Sequence, residues 1–153
     1  MRRRESVNGC GDERMLHRLV PHVRSILPRP RNLGQCARMT MILKDARLLS
    51  EGGGLRFSAI VNGVQRDAFV VRFRGELFAY VNTCRHQSLA LDFGDARFFD
   101  EAFDAIVCCQ HGARYRPETG ECFAGPCLGA RLTPLAVAVR DGAIWWVPPG
   151  RSP

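Results

Sequence analysis

From residue 41 onward the apolar positions fall in short runs set between turn-forming pairs. Residues 55–61 alternate, with Leu55, Phe57, Ala59 and Val61 around Arg56 and Ser58. Residues 68–73 and 77–81 add runs rich in Val, Phe, Leu and Tyr, side chains that suit a pleated, half-buried surface. Asn62-Gly63 and Arg74-Gly75 separate these runs and carry the residues reverse turns require, so the pattern predicts a β-meander. Further on, 105–108 reads as a strand and 113–116 with 121–124 as a hairpin around Thr119-Gly120. Residues 136–140 and 143–147 read as a closing hairpin across Asp141-Gly142. Trp145 and Trp146 are neighbours on that last strand, so strand alternation sends one ring inward and the other outward. The fold class predicted is all-β: an antiparallel β sandwich or partial barrel with a small subdomain inserted in it.

The pattern before residue 39 is different. Leu16, Leu19, Val20, Val23, Ile26 and Leu27 fall at helical spacing, but Pro21 interrupts the run and Pro28 and Pro30 end it. The formal net charge of +7 is concentrated here: nine arginines face Glu5, Asp12 and Glu13, whereas 39–153 carries thirteen basic and twelve acidic groups. The division expected is a basic N-terminal extension, 1–38, short-helical or disordered, ahead of one domain at 39–153. Met39 and Met41 sit at the join, so an over-extended reading frame is the competing account. A basic tail without a reading motif gives no case for nucleic-acid binding. Arg2-Arg3-Arg4 lacks the roughly 7–15-residue apolar stretch an export signal needs, and no run is long enough to span a bilayer, so a cytoplasmic location is expected.

The chemistry lies in two clusters. Cys84-Arg85-His86 is a C-x-H and Cys108-Cys109-Gln110-His111 a C-x-x-H, with 21 residues between them. Two cysteines and two histidines on facing loops fill four coordination positions. The set suits tetrahedral zinc, or a 2Fe-2S cluster in which two histidines hold one iron and two cysteines the other.

After His111 come Gly112-Ala113-Arg114-Tyr115, then Thr119-Gly120-Glu121, Gly125-Pro126 and Pro134-Leu135. This succession resembles the Rieske family, over roughly residues 40–149. The resemblance implies one 2Fe-2S cluster held by Cys84, His86, Cys108 and His111, shielded by the Gly125-Pro126 loop. It also implies that Tyr115 tunes the cluster by hydrogen bonding, while Ala113 stands where high-potential members carry serine. Respiratory members bridge their two loops by a disulfide at the places held here by Leu89 and Gln110, so the chain resembles the soluble ferredoxin branch. It departs from the pattern in two ways. Residues 91–103, LDFGDARFFDEAF, are an added acidic and aromatic insert, and Cys109 stands where proline is common.

The function implied is a one-electron carrier between a reductase and a terminal oxygenase or similar enzyme, with no substrate site of its own. Outside the two clusters the chain holds only His17 and His22 as histidines, too little for the second iron site of a whole oxygenase. Competing readings are a small Rieske-like subunit of a larger reductase of the nitrite reductase type, and a zinc-stabilised interaction module. Cys122 and Cys127 are expected as free thiols. The acidic residues Asp92, Asp95, Asp100, Glu101 and Asp104 are expected on a solvated loop, with docking of a basic reductase as the sharper alternative.

Overall fold

Three two-residue turns set the register of the main sheet. Asn62-Gly63, Arg74-Gly75 and Asp141-Gly142 each place both residues at positive φ, between 51° and 79°. That backbone twists with the flanking strands and so joins them tightly. Arg74 tolerates the left-handed conformation because the Glu51 carboxylate accepts from its N–H and from that of Gly75.

The structure, a computed structural model, describes residues 39–150. The basic segment 1–38, with the helix expected near 16–27, lies outside the described residues. The strands are β1 Thr40–Leu43, β2 Gly54–Val61, β3 Val64–Phe73, β4 Glu76–Val81, β5 Ile106–Val107, β6 Arg114–Tyr115, β7 Cys122–Ala124, β8 Pro134–Arg140 and β9 Ala143–Val147. They form a six-stranded antiparallel sheet in the order β1-β9-β8-β4-β3-β2 and a three-stranded sheet β5-β6-β7. Ala46–Leu48 make one 3-10 turn, whose Asp45 cap binds Arg47 and is held down at about pKa 2 by it.

From Ala68 onward β3 is covered on both faces, as is most of β4, which is why their apolar runs are nearly continuous. Ala68, Val70, Leu77, Ala79 and Val81 pack with Ala59 of β2, Leu135 and Val137 of β8, and Ile144 and Trp146 of β9. Residues from β2, near one edge of the sheet, and from β1 and β9, at the other, thus share one core, so the sheet curls into a partial barrel. The opposite face offers Phe69, Val71 and Tyr80 to a second core built with the small sheet and its loops.

The all-β expectation stands. The partial barrel adds β1, which the pattern did not signal; it pairs Thr40 with Trp146 and Met41 with Trp145. Of the two tryptophans, Trp146 is the inward ring, and Trp145, the other, is half-buried beside this added strand rather than exposed.

The insert departs furthest from expectation. Leu91 and Phe98 are fully or almost fully buried, and Phe98 stacks on Phe69 of β3 with centroids 4.0 Å apart. Asp92, expected in a solvated loop, is buried: its carboxylate accepts from Asn82 Nδ2 at 2.8 Å and from the Gly94 and Ala96 N–H groups at 3.0 Å. Asp100 and Asp104 both pair with Arg114. Asp95, Glu101 and Asp104 stay exposed, with Asp104 paired to Arg114, so the acidic patch is reduced.

Candidate functional site

β4 ends at Val81 and leads straight into the first loop. Asn82 Oδ1 accepts from Leu91 N at 2.9 Å, and Cys84 N donates to Leu89 O at 2.7 Å, closing a tight loop around residues 84–89. The second loop leaves β5. Cys108 N donates to Ala113 O and Gly112 N to Cys108 O, both at 2.9 Å, folding residues 108–113 into a compact turn. Cys109 N donates to Leu91 O at 2.7 Å, so the insert ties the two loops together.

The loops bring the four candidate ligands together as two pairs. Cys84 and Cys108 are buried at 4% and 1% exposure, while His86 and His111 are exposed. The imidazole centroids lie 4.9 Å apart with the rings almost perpendicular. Among the described residues no three Cys, His, Asp or Glu side chains converge on one point. A sulfur pair beneath an imidazole pair is the donor set a binuclear centre takes, two protein atoms to each iron.

The sulfur pair sits in a field of donors. Burial pushes the Cys84 thiol up, but Tyr115 O–H, the His86 N–H, Cys108 and the Gln87 N–H outweigh it and hold the pKa below the ordinary value. Cys108 is pushed up, by burial first and by the neighbouring Cys84, against the N–H groups of Gln110 and His111. Donors aimed at sulfur stabilise extra electron density there.

Tyr115 is fully buried. Its hydroxyl lies 3.2 Å from Cys84 Sγ and 3.1 Å from Cys127 Sγ, and accepts from Arg85 N at 3.1 Å. Burial, Cys127 and Cys84 all raise its pKa, so the phenol keeps its proton and remains a donor. Tyr80 O–H donates to Pro117 O at 2.7 Å and anchors the return of the second loop to β4. A Cβ on Gly125, at φ +99°, would sit 2.9 Å from Ala113 Cα, so only glycine lets the Gly125-Pro126 loop close over the second loop. Cys109 is half-buried and its thiol is pushed up by burial and then by Asp92, so it packs as a neutral side chain. Cys122 and Cys127 are free thiols, as expected.

Asn82, Asp92 and Cys127 had not been singled out as parts of the site's framework. Their roles depend on contacts between segments, and the only local hint was a second cysteine following Gly125-Pro126.

A curled antiparallel sheet carrying a loop subdomain with paired thiols and paired imidazoles defines the class of iron–sulfur β domains. Within it the chain belongs to the Rieske family: the model for the Rieske [2Fe-2S] domain matches residues 42–139. That family carries one 2Fe-2S cluster. The fold is similar to the ferredoxin of carbazole 1,9a-dioxygenase from Nocardioides aromaticivorans IC177, with 25% identity and a TM-score of 0.56 over 73% of this chain and 99% of that one. A chain in the complex of reduced oxygenase and oxidized ferredoxin of carbazole 1,9a-dioxygenase matches at 23% identity and TM-score 0.56, over 75% of this chain and 95% of that one. The terminal oxygenase of carbazole 1,9a-dioxygenase from Novosphingobium sp. KA1 matches at 17% identity and TM-score 0.59, over 75% of this chain but 31% of that one. No curated protein matches the sequence significantly. Among the described residues no helix is long and apolar enough to cross a membrane.

Proposed function

We propose that the protein is a one-electron carrier that takes electrons from a reductase and passes them to a terminal oxygenase or similar enzyme. Cys84 and Cys108 would hold one iron of the cluster through their thiolates, and His86 and His111 the other through their imidazoles. When bound, the cluster supplies a centre that accepts and returns single electrons. The observation that carries the reading is the depth order of the pairs, thiols buried and imidazoles exposed.

Neutral imidazoles leave less negative charge on the centre than thiolates, which favours its reduction. Exposed rings give the electron a short exit to a docked partner. The N–H groups of His86, Gln87, Gln110 and His111 and the Tyr115 hydroxyl hold the two sulfurs in place and favour the reduced form. With Ala113 at the place of the second hydroxyl donor, the potential belongs in the low to intermediate range for the family. The fit to nearly the whole of a ferredoxin chain supports a carrier over a catalytic subunit. A cytoplasmic location fits the free thiols of Cys109, Cys122 and Cys127 in the resting protein.

Purified protein tests this directly. A red-brown oxidised form, equal iron and acid-labile sulfide, and a rhombic paramagnetic signal after dithionite are expected, all lost in C84S and H111A. A colourless protein containing zinc overturns the assignment.

A further inference from the structure

Cys127 Sγ lies 3.5 Å from Cys122 Sγ and 3.1 Å from the Tyr115 hydroxyl. Cys122 is buried on β7, and its S–H faces the Ala124 carbonyl at 3.2 Å. Cys127 is half-buried in a loop whose Gly125, Pro126, Leu128 and Gly129 are exposed. That loop is closed on itself by Ala130 N to Cys127 O, Gly129 N to Cys122 O and Cys122 N to Ala130 O, which keeps the two thiols in register. A disulfide requires the sulfurs to approach to about 2.05 Å, a modest contraction for a surface loop. The pair is separate from the bridge of respiratory members, whose places are Leu89 and Gln110 here.

We propose that Cys122 and Cys127 form a reversible dithiol–disulfide couple that sets the strength of the Tyr115 hydrogen bond to Cys84, and through it the potential of the cluster. This rests on the ligand assignment proposed above. The oxidant is a low-molecular-weight disulfide. The Cys127 thiolate attacks one of its sulfurs and expels a first small thiolate. The Cys122 thiolate then attacks Cys127 Sγ and expels the second. Two protein thiols are oxidised, one small disulfide is reduced to two thiols, and the protons balance.

The coupling follows from counting protons. A ligating Cys84 carries none, so Tyr115 must spend its single proton on that sulfur. The phenol oxygen then accepts from Arg85 N–H and shares the Cys127 S–H with Cys122 Sγ, which polarises its own O–H and strengthens the bond to Cys84. In the disulfide, Cys127 has no proton. Its sulfur becomes an acceptor that competes with Cys84 for the Tyr115 proton, while the phenol loses one of its donors. Both changes weaken the hydrogen bond to Cys84 and disfavour the reduced cluster. Cys127 is therefore a positioning residue that acts through Tyr115.

The test uses the full chain with its cluster, equilibrated in glutathione buffers of stepped redox poise and then alkylated. Trypsin releases both cysteines in one peptide, 115–131. The peptide is expected unalkylated and two hydrogens lighter at oxidising poise. The midpoint potential of the same samples is expected to fall, and to recover with dithiothreitol. C122S should keep the reduced-state midpoint and lose the response; C127A, which removes the donor without adding a competing sulfur, should lie between the two midpoints and also lose the response. A peptide alkylated on both cysteines at every poise, or an identical midpoint in both forms, overturns the proposal. A protein lacking iron and sulfide defeats the ligand assignment instead, and the peptide map still reports the dithiol chemistry.

Discussion

Tyr115 shows how much one side chain carries in this site. It fills the second core as a fully buried ring, accepts from Arg85 N and reaches the sulfur of Cys84. Phenylalanine would keep the packing and remove the hydrogen bonds. A Y115F variant is expected to fold, bind the cluster and show a lower midpoint potential by voltammetry, because a donor that favours the reduced sulfur is gone. An unchanged midpoint would show that the hydroxyl serves packing alone. Tyr115 was legible in the sequence because it sits at a set distance after the second histidine. Its third partner, Cys127, was not, since the contact exists only once the Gly125-Pro126 loop has closed over Ala113.

At the scale of elements, the insert is a brace. Phe98 stacks on Phe69 and Phe99 on Phe73, Val107 N donates to Phe98 O, and the Asp92–Asn82 pair links the insert to the base of the first loop. F98A removes a fully enclosed ring and is expected to cost about 3–5 kcal/mol in chemical denaturation. A loss within 1 kcal/mol, roughly the scale of a surface substitution, would mean the insert is detached in solution. Asp92 adds an acid limb. Burial raises its pKa, but the Asn82 amide, the Ala96 N–H, Arg56 and the Gly94 N–H outweigh this, and the net direction is down. A carboxyl whose folded pKa lies below its unfolded value of about 3.9 stabilises the protein fully above that value. The contribution is lost as pH falls from there through the folded pKa. D92N is therefore expected to lower the urea midpoint at neutral pH and to flatten its decline below about pH 4. The charge and aromatics of 91–103 could be read along the chain. Which face each would take could not, because Asp92 turns inward to meet Asn82, ten residues upstream, and hydrogen bonds between loops leave no periodic trace.

The whole molecule consists of two cores back to back across β3 and β4, and much of that plan was legible. The turns Asn62-Gly63, Arg74-Gly75 and Asp141-Gly142 announced the hairpins, and the spacing of cysteines and histidines announced the loops. β1 escaped because it is four residues long, carries a register shift between Met41 and Leu43, and is held by β9 from the far end of the chain. The division into two cores bears on what happens when the metal is withdrawn. The barrel core contains none of the candidate ligands, whereas Cys84 and Cys108 belong to the second core, with Leu91, Phe98, Ile106, Tyr115 and Leu132. Stripping the proposed cluster would leave two buried thiols, Cys84 and Cys108, and the insert's Cys109 N to Leu91 O bond as the remaining tie between the loops. Chelated, reduced protein is expected to keep slow amide exchange in β2, β3, β4, β8 and β9, while 84–131 exchanges fast, because local stability follows local packing. Phe69, Val71 and Tyr80 would then be uncovered on the outer face of the barrel, so apoprotein is expected to bind a hydrophobic dye that the holoprotein excludes. Uniform loss of protection would show instead that the barrel depends on the subdomain, and that the two cores form a single cooperative unit.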